Sequence, residues 1–394
     1  MFEAFAKVAP EHPFVLREVA QARALNGKTG AAITALESLA RSGVYVDLDA
    51  PAYAALVADP ASSPVRESFA ALKRSVTSHA QLAFTLPDPE VVPEGIAWDP
   101  GRRAFLVSSQ YRRQILRVAA GGKVSALIES GQDGVGMVFG LATDAKNGLV
   151  WAVSTSDPSM KGFTAADEGR TALVAFDLRT GHLRRRLAPP GPVAPRAFDD
   201  VALGPNGAVY VSEGTEGVID VLSPGASELR TLVPPGKLRG PQGMAPSADG
   251  KRLYVSDYGR GLFVVDVATG EPERLAAAGL PPLHGIDGLV RCGDRLLAVQ
   301  NGLEPVKVLR LDLSADGRSL ERATTIEQNT PPLGEPTLGT LGPDGFYFIA
   351  DSQGTKLRRA KGELAKAGLV RSAVLRVPYS ALGGRCEGKS NSPP

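Results

Sequence analysis

Cysteine, histidine and tryptophan are all scarce: 2 Cys, 4 His and 2 Trp in 394 residues. Cys292 and Cys386 lie far apart, and neither forms a Cys-x-x-Cys pair. That excludes the usual zinc and redox frameworks and leaves a single long-range bridge open. Long apolar runs are missing as well. No stretch approaches the roughly 20 residues that span a bilayer, so no membrane helix is expected. Residues 1–8 hold no apolar core of the kind a secretory signal needs. The chain as written therefore reads as soluble, with its compartment, cytoplasmic or exported, left open. Nor is one charge in surplus: 44 Lys and Arg face 42 Asp and Glu, for a net charge of +2. Non-specific nucleic-acid binding has no electrostatic support in that balance. The short run Arg184-Arg185-Arg186 reads as a solvated strand edge or loop.

Turn formers are abundant, with 44 Gly and 31 Pro. Their placement divides the chain in two. Residues 1–77 carry helical periodicity. Leu16, Val19, Ala20, Ala24 and Leu25 share one face, Asn26-Gly27 breaks the pattern, and Ile33, Leu36, Leu39 and Ala40 resume it until Gly43. This is an αα-hairpin of about the size of one tetratricopeptide repeat. A weaker pair is expected at 50–58 and 63–76, with Pro51 and Pro64 as helix-start residues. One and a half repeats offer little concave surface. A packing module that caps the larger domain is favoured over peptide binding, and a protein partner is the alternative.

From residue 78 to 394 the pattern becomes short apolar strands between turns, and it repeats. Pro241-Gln242-Gly243-Met244, Asp249-Gly250, Leu253-Tyr254-Val255-Ser256-Asp257 and Gly261-Leu262-Phe263-Val264-Val265-Asp266 form the clearest copy. Asp200-Val201-Ala202-Leu203 with Val209-Tyr210-Val211-Ser212-Glu213, and Glu94-Gly95-Ile96 with Phe105-Leu106-Val107-Ser108, match it. Copies starting at 94, 140, 200, 242, 287 and 337 have the spacing of four-stranded propeller blades. The fold class is mainly β: a six-bladed β-propeller at 78–394 preceded by a small α-helical domain at 1–77. The last copy lacks a fourth strand, and the orphan strand 81–85 is expected to close the ring beside 373–377.

Residues at one repeat phase converge at the channel mouth. The set is Glu94, Phe139, Asp199 with Asp200, Gln242, Asp287 and Thr337, with Glu335 just upstream. Several carboxylates in one channel repel one another unless a positive charge sits among them. No Lys or Arg shares the phase. An all-oxygen set suits a hard divalent cation, calcium first, with Glu94, Asp199, Gln242 and Asp287 as ligands. His284 is near the mouth and is a candidate substrate contact, whereas His12, His79 and His182 read as surface residues. Ser108, Ser212 and Ser256 have no histidine at a matching phase, which disfavours a serine nucleophile. Insertions at 154–170 and 352–371 each follow a second strand. They are expected to leave on the face away from the first-strand entry, and at least one to fold over a face of the propeller.

Residues 78–394 resemble the senescence-marker-protein/gluconolactonase family of six-bladed propellers, which is similar to the paraoxonases. The resemblance rests on Glu94-Gly95, Asp199-Asp200 in place of Asn-Asp, Gln242-Gly243 in place of Asn-Gly, and Asp287-Gly288. Phe139 stands where the paraoxonase-like branch has a histidine. The resemblance implies calcium-dependent hydrolysis of a small lactone or ester, with Asp287, Asp200 and His284 as catalytic candidates. The altered Asp199 and Gln242 leave a non-catalytic binding module as the competing class.

Overall fold

The computed structural model describes residues 12–191 and 196–386. Two antiparallel helices open it, α1 (Pro13–Leu25) and α2 (Thr29–Arg41), joined through Gly27 at φ +68°. Two further helices follow, α3 (Ala54–Ala58) and α4 (Ser63–Arg74), and Pro51 and Pro64 stand in first turns as expected. Ala20, Ala32, Ile33, Leu36, Leu39, Leu56, Val65 and Phe69 make one apolar cluster. Leu25 does not join it. It ends α1 beside the turn and is 67% exposed. The cluster also takes in Leu303 from the propeller, and Tyr45 N–H bonds the Glu304 carbonyl at 2.6 Å. The helical module is therefore docked on blade five.

The remainder is a ring of six antiparallel sheets. Their innermost strands are Pro93–Asp99, Met137–Asp144, Phe198–Leu203, Pro241–Pro246, Ile286–Cys292 and Gly339–Leu341. Blade six is completed by Gln81–Thr85, which pairs antiparallel with Ala373–Pro378. Thr77–Ser78 adds a short fifth strand to blade five, so the helical module ends where sheet pairing begins. Among the described residues no helix is long and apolar enough to cross a membrane. Between blades the sheets pack face to face. One apolar cluster fills each interface: Ile128 with Val150 between blades one and two, Leu187 with Phe198 between two and three, Phe346 with Leu297 between five and six, and so on around the ring. Cys292 and Cys386 are bridged, with Cα atoms 4.3 Å apart. The bridge ties the chain beyond blade six back to blade five.

Antiparallel pairing sets Pro93 opposite Ser109 and Pro241 opposite Asp257. A second strand thus ends on the face where the first begins. This corrects the expectation that the insertions leave on the other side. Both rise over the mouth. The blade-six insertion contains α5 (Gly354–Arg359) and α6 (Leu364–Ala367). Leu357 and Leu364 meet Met160 and Phe163 of the blade-two insertion above Val92, Met137 and Phe139. The two insertions form one roof.

At the mouth the inner strands crowd together. A Cβ on Gly95 would lie 2.4 Å from the Phe139 carbonyl oxygen, and one on Gly243 would lie 2.4 Å from that of Asp287. Backbone cannot yield as a flexible side chain does, so Gly243→Ala should destabilise the protein by about 1–3 kcal/mol or more in urea unfolding. Gly30→Ala, where a Cβ meets nothing within 4 Å, should be neutral or slightly stabilising. Equal effects would refute the crowding.

Candidate active site at the channel mouth

The inner strands share a local irregularity. Register shifts fall between Pro93 and Ile96, Val138 and Leu141, Phe198 and Val201, Pro241 and Met244, and Ile286 and Gly288. Each brackets the phase position found in the sequence. A bulge of this kind turns a side chain out of the ladder's alternation, here at Glu94, Phe139, Asp199, Gln242 and Asp287. The serines at the second-strand ends close the bulges. Ser108 Oγ accepts from Gly95 N–H at 2.7 Å and Ser212 Oγ from Asp200 N–H at 3.0 Å, while Ser256 Oγ donates to the Gly243 carbonyl at 3.3 Å. The repeated serine is thus occupied with backbone, in keeping with its expected lack of a nucleophilic role.

Asp287 is buried, Glu94, Asp199 and Asp200 are half-buried, and they act on one another. Glu94 is pushed well above the usual carboxylate range by burial and then by Asp287 and Glu335. Asp287 is pushed up to about 6, first by burial. Asp199 rises to about 7 and Asp200 to about 8, burial again leading and Asp287 adding to both. Each mouth carboxylate has one oxygen fixed. Glu94 Oε2 accepts from Gln110 Nε2 at 2.6 Å and Ser352 Oγ at 3.0 Å. Asp287 Oδ2 accepts from Asn301 Nδ2 at 2.7 Å, and Asp199 Oδ2 from Gly214 N–H at 2.7 Å. Asn301 is itself oriented by the Tyr258 hydroxyl, 2.9 Å from its Oδ1, and by the Pro336 carbonyl. Burial and the carboxylates Asp287 and Glu335 raise the Tyr258 phenol, which stays a donor.

Asp200 differs from its neighbours. Glycine holds the corresponding place in blades one, two, four and five, namely Gly95, Gly140, Gly243 and Gly288. The Asp200 carboxyl lies against Gly140, and the Val201 and Met244 backbone pulls its pKa down against the larger effect of burial. It lines the channel below the mouth, which widens to a cavity of about 550 Å³. Thr337 binds the Glu94 carbonyl through Oγ1 at 2.9 Å and supplies a strap to blade one. Phe139 packs under the roof. His284 is placed differently. Its ring lies 4.5 Å from that of His12 and 6.3 Å from that of Phe14. Burial, then His12 and Arg274, lower it to about 4, so its charged neighbours belong to the helical junction and not to the mouth carboxylates. His12 is half-buried there and is not the surface residue expected, whereas His79 and His182 are exposed.

The roof brings in a cation that the repeat phase hides. Arg358 on α5 donates to Gln110 Oε1 at 3.2 Å and lies 3.9 Å from Glu335 Oε1. Its charge lowers Glu94, Asp199 and Asp287 against the effect of burial. Glu335 is held by Thr355 N–H and Oγ1. Among the described residues, no three His, Cys, Asp or Glu side chains are gathered as a ready-made metal cluster. The donor chemistry nonetheless suits a hard cation. With one oxygen of each carboxylate held, no protein donor among the described residues reaches Glu94 Oε1, Asp199 Oδ1 or Asp287 Oδ1.

Sequence reading missed Gln110, Asn301, Tyr258 and Arg358. The first three had a signal. Each stands just after a second strand, as in Ser108-Ser109-Gln110, Ser256-Asp257-Tyr258 and Val299-Gln300-Asn301, so a second repeat phase also converges on the mouth. Arg358 had none, because it lies in an insertion outside the repeated strands, where no residue holds a repeat phase.

No family model matches the sequence, and no curated protein is significantly similar to it. Solved structures do resemble the fold. One is a Thermus thermophilus protein assigned as an oxidoreductase (glucose dehydrogenase), with TM-score 0.52, 20% identity, and 77% of this chain and 99% of that one covered. Another is a protein assigned as a gluconolactonase, with TM-score 0.51, 17% identity, and 77% and 92% covered. A third is the PQQ-bound aldose sugar dehydrogenase of Streptomyces coelicolor, with TM-score 0.50, 18% identity, and 75% and 97% covered. The chain is a six-bladed propeller whose structural neighbours include gluconolactonase-like proteins and related propeller enzymes.

Proposed function

We propose that this protein is a calcium-dependent hydrolase of a small lactone or related ester, acting at the channel mouth. The observation that supports this most is the convergence of buried and half-buried carboxylates, each raised by desolvation and by its neighbours, on one end of the channel. Such a group is costly in ionised form without a counter-charge. Arg358 is partly exposed and sits on the Gln110–Glu335 side, so it offsets only part of that cost. Glu94, Asp199 and Asp287 would hold the ion through their open oxygens, with the Gln242 amide as a further, longer ligand. Bound there, calcium would polarise the substrate carbonyl as a Lewis acid. Asp287, oriented by Asn301 and raised to about 6, is ionised at neutral pH yet basic enough to take a proton from the attacking water. Asp200, raised to about 8, remains protonated at pH 7 and can donate. His284 has no part in this scheme.

The second reading is a non-catalytic propeller that binds a ligand or partner at the mouth. Arg358 favours it, since a built-in guanidinium beside Glu335 can balance part of the carboxylate charge without an ion.

Two measurements decide. The raised carboxylates hold protons in the fold that the unfolded chain releases near its ordinary value of about 4. In chelator, their contribution to stability should therefore be full below about pH 4 and be lost progressively as pH rises from 4 to 8, by which point the folded groups have ionised. Calcium competes with those protons. Its stabilisation, read as a rise in Tm, should be small at pH 5 and large at pH 8. A calcium shift of equal size at both pH values, or none at either, removes the metal from the proposal.

For the chemistry, Asp287→Asn should lower turnover of a lactone and aryl-ester panel about 10²–10⁴-fold while retaining much of the calcium affinity. Gln242→Asn should tighten calcium and raise turnover. Tighter calcium with no lactone or ester hydrolysed by either form would leave the binding-module reading standing.

A further inference from the structure

A second cavity lies away from the mouth, where the helical module meets blades four and five. It measures about 990 Å³. Its ionisable side chains are all basic: His12, Arg41, Arg260, Arg274 and His284, with no Asp or Glu among the described lining residues. Its floor is apolar, made by Leu16, Phe263, Leu275 and Leu283.

The basic groups are short of partners. His284 is 9% exposed, and its Nδ1 is buried without a hydrogen-bond partner among the described residues. The Nδ1 of His12 is in the same condition, although its Nε2 lies 2.7 Å from the Gly259 carbonyl. Arg260 has Asp257 at 3.8 Å and rests on the Phe263 ring. Among the described residues Arg41 donates only to Ser38 Oγ, at 2.9 Å, and neither it nor Arg274 is in an ion pair. An unsatisfied buried imidazole nitrogen costs free energy, and like charges around one cavity repel. An anion placed among them would relieve both at once.

We propose that this cavity binds a small amphipathic carboxylate, its anionic head among His284, Arg274 and Arg41 and its apolar tail on Leu275 and Leu283. A carboxylate accepts two bonds from one guanidinium, which suits the arginines, and an unbranched tail suits the leucine floor. The imidazole burial that lowers His284 would be offset in part by the bound charge. No carboxylate of the mouth lines this cavity, so the site is separate from the one at the mouth.

The test is titration calorimetry on the full chain at pH 7 with sodium decanoate, with decanol as the neutral analogue of the same tail. Decanoate should bind at least about tenfold more tightly than decanol, as a charge-assisted pair requires. Arg41→Glu with Arg274→Glu should weaken decanoate at least about tenfold and leave decanol unchanged, because both arginines are exposed and their reversal spares the core. No decanoate binding, equal binding of decanol, or decanoate binding untouched by the double reversal overturns the proposal. Should the double variant fail to melt cooperatively, the comparison of the two ligands on the unaltered chain decides alone.

Discussion

Six strands enter the channel side by side, and at the mouth their backbones approach so closely that a single methyl group cannot be added at Gly95 or Gly243. Most of what is distinctive about this end of the molecule follows from that crowding. Strands this close cannot keep an ordinary pleat through the constriction, so the ladder slips by a bulge in five blades. The bulge frees a backbone N–H, and a serine from the next strand answers it at Gly95 and Asp200. It also turns one side chain per blade toward the axis. The residues that face the axis therefore lose water because of the packing around them.

That dehydration governs the electrostatics. A carboxylate in the constriction has three remedies: a proton, a hydrogen-bond donor or a cation. The protein uses the first two visibly. Asp200 is raised enough to hold its proton at neutral pH, and Gln110, Ser352, Asn301 and the Gly214 amide each occupy a carboxylate oxygen. Arg358 adds a tethered charge at the rim. The glycine pattern explains why Asp200 stands apart. It holds a place where four blades have no side chain, so its carboxyl has nowhere to go but against Gly140 and into the channel.

The architecture was readable in the chain because it repeats. Strand periods, turn glycines and the paired copies at 200 and 242 fix blade number. The missing fourth strand after 377 fixes ring closure by Gln81–Thr85. The phase residues were readable for the same reason, since a repeat turns sequence position into spatial position. What escaped was whatever does not repeat. Arg358 comes from an insertion, and His12 and His284 meet only because the helical module folds back over blades four and five. The direction taken by the insertions was misjudged on strand geometry alone: an antiparallel hairpin returns to its starting face. Leu25 fell outside its core because helical periodicity cannot see where a helix ends.

Ring closure has a consequence for the birth of the molecule. The strand Gln81–Thr85 leaves the ribosome ahead of all six inner strands, and its partner Ala373–Pro378 follows only after them. At about 5–20 residues per second, the early strand waits on the order of tens of seconds with an open edge. Leu82, exposed even in the finished protein, and Phe84 beside it must remain unpaired through the synthesis of every blade. A chain cut short before the sixth blade is left with two raw sheet edges and no seam, which invites association with other chains. The late strand and the bridge from Cys292 to Cys386 thus act as a completeness check, sealed only on molecules in which the whole ring has been made.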